Sequence, residues 1–382
     1  MRRAAALLLA GALLAGSGCT GGVGGTYRNI EELQIVEALG FDIDNGRVLA
    51  SAATGRDASG REALRASGEG VDVTSALRQM RSRSGGGDLF FDSTGHILLG
   101  EAAAEDAGRF LGYVERSGEL RLDTPLLIAR GGTARSLVLA AGGAEGDAPS
   151  ILSALEERVL RSGAGFVPGC AEIAAGLERS GAALALAVRA ERSTAGDYDT
   201  AVPAGFAVLR GGALVGYLDS GASMGAGLLL SRAGRAELDV SGAEIRLISC
   251  SCDIEPLWDG DKLRALRFSL SVSGSLIESA AGADLSQEAA RAELEAAFAA
   301  ECSRLAELCL AASQALEADF LGLGAQLERR EPRRWREISG GWDALLPQLE
   351  LHVEAEATLL RSYGYDDPPT RGKGAERWKK AL

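Results

Sequence analysis

The feature that most constrains this chain is a change of period close to its C-terminal end. From about Asp284 to Asp319 apolar residues recur at Leu294, Phe298, Cys302, Leu305, Cys309, Ala312 and Leu316, steps of four and three that trace one stripe along a helix. Asp284 with Gln287 three residues on forms a capping-box pattern, and Gly322 suits a left-handed cap at the far end. At 1.5 Å per residue such a helix runs roughly 50 Å. Gly324 to Glu331 reads as a short second helix stopped by Pro332, because proline lacks an N–H and disfavours helix in the residue before it. After Pro347 the period becomes two: Leu349, Leu351, Val353, Ala355 and Ala357 alternate with Glu350, His352, Glu354, Glu356 and Thr358, the mark of a half-buried strand. An apolar helical stripe of that length needs a sheet to cover it. The fold class that follows is α+β, with two or three layered domains of mixed or antiparallel sheets flanked by helices, and a C-terminal domain in which one long helix packs on a sheet.

The 382 residues, 46% apolar and 24% charged, suffice for two ordinary domains. A net charge of −13 argues against general affinity for nucleic acid. Met1-Arg2-Arg3, the apolar run Ala4 to Ala15, and Gly16-Ser17-Gly18-Cys19 read as a signal peptide too short to span a membrane comfortably. Its end resembles a lipobox, with Gly16 where leucine is usual, and that resemblance makes Cys19 the diacylated first residue of the mature protein. Thr20 to Thr26 is then a glycine-rich tether.

Asn45-Gly46 between two apolar runs predicts a hairpin. Asp57 to Gly70 reads as a loop and Asp72 to Arg83 as a helix with Val73, Leu77 and Met80 on one face. From Asp88 the order is strand, turn, strand, helix, strand, helix, and Ser150 to Ser162 adds an amphipathic helix. Gly163 to Pro203 reads as loops around one strand, Ala182 to Ala190. Ala204 to Leu218 is a hairpin turned at Gly211-Gly212, and Ala243 to Ile254 and Leu263 to Ile277 are strands. In the tail, Arg371, Lys373, Arg377, Lys379 and Lys380 stand against Glu376; this reads as a solvated disordered end, with contact to anionic headgroups as the alternative.

Gly221-Ala222-Ser223-Met224-Gly225 matches the nucleophile-elbow pattern after a strand. Its bases would have to be His96 or His352, and His352 sits on the polar side of its strand. In a chain with 51 glycines the reading preferred is a glycine-rich turn. Cys170, Cys250, Cys252, Cys302 and Cys309 lack zinc-site spacings. Packed thiols are the expectation, with a strand-to-helix disulfide as the alternative. Gly322-x-Gly324 follows a helix and so is not a nucleotide loop. No catalytic residue, metal site or cofactor is expected.

An acidic residue, Phe-x-Gly-x-Gly, then Arg, Pro, Trp and Trp-Asp stand here as Asp319, Phe320, Gly322, Gly324, Arg330, Pro332, Trp335, Trp342 and Asp343. This spaced set resembles the Ger(x)C proteins, the C subunits of spore germinant receptors. The likeness extends to the first strand in Glu31 to Asp42, to His96 before a strand ending Gly100-Glu101, to Arg116 and Glu119-Leu120-Arg121, to Ala204 to Leu218 with Tyr217 where tryptophan is common, and to Ser275 to Glu278. The resemblance puts a domain boundary near Pro203. The expected organisation is a signal peptide at 1–19, one or two N-terminal α+β domains at 20–203, a C-terminal α+β domain at 204–364 and a basic disordered tail at 365–382. It implies a non-catalytic, lipid-anchored receptor subunit on the outer face of the spore inner membrane, beside integral membrane A and B subunits. It also gives Asp319, Phe320, Gly322, Gly324, Pro332, Trp335 and Trp342 a structural or partner-contact role. The rivals are a solute-binding lipoprotein of a transporter, which would show an interdomain cleft with convergent polar groups, and a serine hydrolase using Ser223.

Overall fold

The computed structural model describes residues 33–55, 65–84, 88–139, 148–162, 165–192, 199–279 and 287–360. Cys19, the capping position Asp284 and the basic tail lie outside them. The fold is α+β, built on two sheets. The first carries β1 (Leu33–Asp44), β2 (Arg47–Thr54), β3 (Arg65–Gly70), helix α1 (Val73–Arg83), β4 (Asp88–Phe90), β5 (His96–Gly100), α2 (Glu101–Ala104), α3 (Ala107–Ser117), β6 (Leu126–Ala129), α4 (Ala134–Val138), α5 (Ala148–Ser162), α6 (Cys170–Ser180), β7 (Ala182–Arg192), β8 (Asp199–Arg210) and β9 (Ala213–Leu218). Its strand order is β3-β2-β1-β5-β6-β7-β8-β9, with β4 beside the start of β1. The central β1, β5, β6 and β7 are parallel. They are buried on both faces, as a parallel sheet requires: Leu98, Leu127 and Leu186 belong to one apolar cluster, Leu99, Ile128 and Ala187 to the other.

The hairpin turns where Asn45-Gly46 predicts, with φ of 49° and 76°, the two left-handed residues of a type I′ turn. Two segments depart from expectation. Arg65–Gly70, read as loop, is a strand paired antiparallel with β2. Its glycines hid it: a Cβ on Gly68 would lie 2.3 Å from the Ala76 carbonyl, and one on Gly70 would lie 2.2 Å from the Ser75 hydroxyl. They are small because α1 lies directly on the strand. Cys170–Ser180, also read as loop, is a helix ended by Gly181 at φ 68°. Pro203 sits inside β8, which pairs with β7 on one side and β9 on the other. The first sheet therefore continues through the position expected to separate the domains.

The second sheet follows α7 (Ser220–Leu229) and consists of β10 (Glu237–Val240), β11 (Ala243–Asp259), β12 (Lys262–Ser279) and, after α8 (Glu288–Ala315), α9 (Leu323–Arg330), α10 (Pro332–Ile338) and α11 (Trp342–Leu345), the final strand β13 (Glu350–Leu359). The order is β10-β11-β12-β13, with β13 parallel to β12. A bulge between Leu247 and Ser249 changes which residues face inward, from Ile245 and Leu247 to Cys250, Cys252 and Ile254. On α8 the predicted stripe is present: Leu294, Phe298, Cys302, Leu305 and Cys309 are buried. One apolar cluster joins Leu184 and Phe206 of the first sheet to Phe298 and Leu305 of α8 and Leu266 and Phe268 of the second sheet. The two sheets share a core.

Candidate functional site

The signature residues converge where α8 stops. The helix ends in a Schellman turn: Ala318 N–H donates to Ser313 O at 2.9 Å, Glu317 N–H to Gln314 O at 3.1 Å, and Glu317 is left-handed at φ 48°. The cap expected at Gly322 is therefore supplied by Glu317. Gly322 is left-handed too, at φ 67°, but it opens α9 instead of closing α8. Pro332 does both jobs its ring allows, ending α9 and occupying the first turn of α10.

Asp319 is the centre of the junction. Its Oδ1 accepts the Leu323 N–H at 2.7 Å, and its Oδ2 accepts the Gly324 N–H at 2.8 Å and the Trp342 indole N–H at 3.0 Å. It is 4% exposed. Burial pushes its carboxyl up to about 6, against the pull of the hydrogen bonds from Gly324, Leu323, Trp342 and Gly322. Trp335 meets Trp342 edge to face with ring centroids 5.3 Å apart. A Cβ on Gly324 would fall 2.6 Å from the Trp335 ring and 3.0 Å from the Trp342 nitrogen, so the glycine makes room for the pair. Phe320 is buried as well.

Arg330 of the signature and several residues that sequence reasoning passed over, Gln314, Asp253, Trp258 and Arg334, complete the site. Gln314 Nε2 donates to Leu346 O at 3.0 Å and Leu349 O at 2.9 Å, tying the long helix to the entry of β13. Arg330 clamps Asp253 at 3.1 and 3.2 Å and also donates to the Ile254 carbonyl. The Arg334 guanidinium lies 4.7 Å from the Trp258 ring centroid. A polar Gln314 beside the apolar stripe was the one available signal; Asp253 and Trp258 carried none. Beside the clamp a groove of about 290 Å³ is lined by Ile254, Gln326, Leu327, Arg329 and Arg330. The junction is thus a carboxylate-centred knot whose oxygens are committed to main-chain and indole N–H groups. It locks four elements and leaves Trp335 partly exposed and Arg329 and Arg333 at the surface, with Trp342 buried.

The other candidates fall elsewhere. Gly221 to Gly225 is not a turn but part of the buried helix α7, and Ser223 Oγ accepts the Phe206 N–H at 3.2 Å and reaches Leu218 O at 3.5 Å. The glycine spacing serves helix packing: a Cβ on Gly225 would lie 2.0 Å from the Leu305 carbonyl of α8. His96 pairs with Glu156 at 2.9 Å, and His352 is exposed beside Glu350. Cys170, Cys250, Cys252, Cys302 and Cys309 are free thiols, and burial pushes Cys170, Cys252 and Cys302 up to about 12. Among the described residues no group of three or more His, Cys, Asp or Glu side chains could hold a metal ion, and no helix is long and apolar enough to cross a membrane.

Comparison with known proteins covers most of the chain. A profile described as "Spore germination protein N-terminal domain" matches residues 26–148, and one described as "Spore germination B3/ GerAC like, C-terminal" matches residues 204–363. A solved structure described as "Crystal Structure of the GerBC protein" is similar in fold, with a TM-score of 0.56 at 17% identity, covering 85% of this chain and 97% of that one. Curated protein sequences give no match.

Proposed function

The chain belongs to the Ger(x)C family of spore germination proteins, and from that premise we propose that it is the C subunit of a nutrient germinant receptor, a non-catalytic lipoprotein that acts by assembly. Cys19 anchors it through two acyl chains to the outer face of the spore inner membrane, since one chain alone binds only marginally. It stands there beside the integral membrane A and B subunits. The observation that carries this reading is the commitment of the family signature to the Asp319 junction: these residues shape a surface instead of presenting reactive groups. The shared apolar cluster, lying where a solute-binding protein would open its cleft, favours the same reading. The contact surface is drawn from the open face of the C-terminal strands and the Trp335 to Trp342 region, where partly buried aromatics serve as anchors.

Gentle detergent extraction of spores should recover the protein with two integral membrane subunits, and its deletion should abolish the response to particular nutrients while nutrient-independent germination continues. Equal impairment of every germination route, or turnover of a substrate by the purified protein, would sink the proposal. Cys19→Ala should move the protein from the membrane to the soluble fraction; unchanged partitioning would refute the anchor.

A further inference from the structure

A strand at the end of a sheet exposes a row of N–H and C=O groups, which folds blunt by shortness, bulges, proline or lysine. The second sheet does so at one end only. β10 has four residues, whereas β13 pairs with β12 at every position from Glu350 to Leu359 without a register shift and contains neither proline nor lysine. Its pairing tells which of its groups are spare. Leu360 N–H donates to Gly274 O at 2.8 Å, while Gly274 is the register partner of Leu359. In a parallel ladder one alternate set of residues makes all the bonds to the neighbour. Glu350, His352, Glu354, Glu356 and Thr358 therefore bond β12, and Leu351, Val353, Ala355, Ala357 and Leu359 direct their N–H and C=O groups away from it. The Leu359 N–H agrees with this phase by donating to Glu295 Oε1 of α8 at 2.9 Å. From Leu351 to Ala357 the outward backbone groups have no partner among the described residues.

The side chains along this edge select what can pair with it. Glu350, Glu354 and Glu356 stand on the solvent face. Glu350 and Glu354 are 77% and 72% exposed, and their ion pairs are long, 3.6 Å to His352 and 3.9 Å to Arg267. On the opposite face Leu351, Val353, Ala355 and Ala357 are half-buried against the shared core. Two copies joined antiparallel through β13 would bring glutamates of one onto glutamates of the other, which opposes self-pairing. An extended segment with cations at alternate positions and small or apolar residues between them complements both faces.

We propose that the outer edge of β13 is a strand-addition site for an extended segment of a receptor partner, one in which lysine or arginine alternates with small or apolar residues. The inference rests on the receptor reading and gives the chemistry of its contact. Main-chain bonds to Leu351, Val353, Ala355 and Ala357 hold the segment, and its cations stand beside Glu350, Glu354 and Glu356. The glutamates also set the phase, because a slip of one residue would turn every cation toward the apolar face that α8 covers.

Hydrogen exchange on the purified full chain tests this with three synthetic peptides, in which lysine alternates with valine, glutamate with valine, or lysine with proline. The lysine–valine peptide should slow exchange of the Leu351, Val353, Ala355 and Ala357 amides roughly tenfold or more, while the Glu354, Glu356 and Thr358 amides, already bonded to β12, change little. The lysine–proline peptide carries the same charge but cannot run as a ladder strand, and neither it nor the glutamate–valine peptide should protect. Glu350→Lys/Glu354→Lys/Glu356→Lys should reverse the preference to the glutamate–valine peptide. Equal protection by the lysine–proline peptide, or none by any peptide on the wild-type chain, overturns the proposal. So does prior protection of the four amides in the free chain, which would mean that the chain itself or a second copy fills the edge. In receptor extracted with its membrane subunits the same four amides should be protected; if they exchange as in the free chain, the partner seats elsewhere and this inference falls while the receptor reading stands. The peptide experiment needs no receptor, so failure to recover one would sink that reading separately.

Discussion

Asp319 is ionised at neutral pH inside a nearly closed site, and that combination leaves a signature in pH dependence. Its folded value, about 6, lies above the 3.8 of an ordinary aspartate. The folded state therefore holds the proton that the unfolded chain has already released, and stability falls as pH rises between those values. Relative to Asp319→Asn, which does not titrate, the wild type should lose up to about 3 kcal/mol between pH 4 and pH 7. Chemical denaturation at both pH values would read it; a constant difference refutes the shift. At either pH the asparagine leaves a buried N–H poorly served, a loss of about 1–3 kcal/mol. Gly322→Val, at a left-handed position, should cost about 1 kcal/mol or more. Gly324→Ala should cost about 1–3 kcal/mol by overpacking and separate Trp335 from Trp342, visible as altered tryptophan fluorescence.

At the scale of elements, α7 and α8 touch through glycine. Gly225→Ala would drive a methyl into the Leu305 carbonyl and should destabilise by about 1–3 kcal/mol, measured as a lowered melting temperature. Ser223→Ala orphans the Phe206 N–H and should cost about 1 kcal/mol without affecting germination; labelling of Ser223 by a fluorophosphonate would overturn the structural role. Elements whose apolar residues alternate or repeat along a single buried stripe were legible in the chain: β1 and β2 around Asn45-Gly46, α1, α8 and β13. Those missed are elements where a neighbour's backbone dictates composition. Arg65–Gly70 looks like a loop because Gly68 and Gly70 sit under α1, and Gly221 to Gly225 looks like a turn because α8 lies against it. The signature at 319–343 was legible as a pattern. That Asp319 is its hub was not, since two of its three donors are main-chain N–H groups and the third, Trp342, opens α11, 23 residues further along the chain.

Over the whole molecule, the shared core and the continuity of β8 and β9 with the first sheet bind the two halves together. A chain cut after Pro203 should not give two stable halves: residues 204–382 alone lose the β7 partner of β8 and the Leu184 and Leu186 side of the shared cluster. Circular dichroism and solubility of the separated pieces check this, and a cooperative melt of either piece near the intact value would refute it. The parallel pairing of β13 with β12 has a consequence in time. β12 is made well before β13, and the segment between them supplies α8 and the Asp319 junction. The strand that completes the sheet is non-local, so it should be among the last to register. Until it does, β12 presents an unpaired edge. Chains interrupted before Glu350 would retain that open edge, giving surveillance proteases a way to tell unfinished molecules from finished ones.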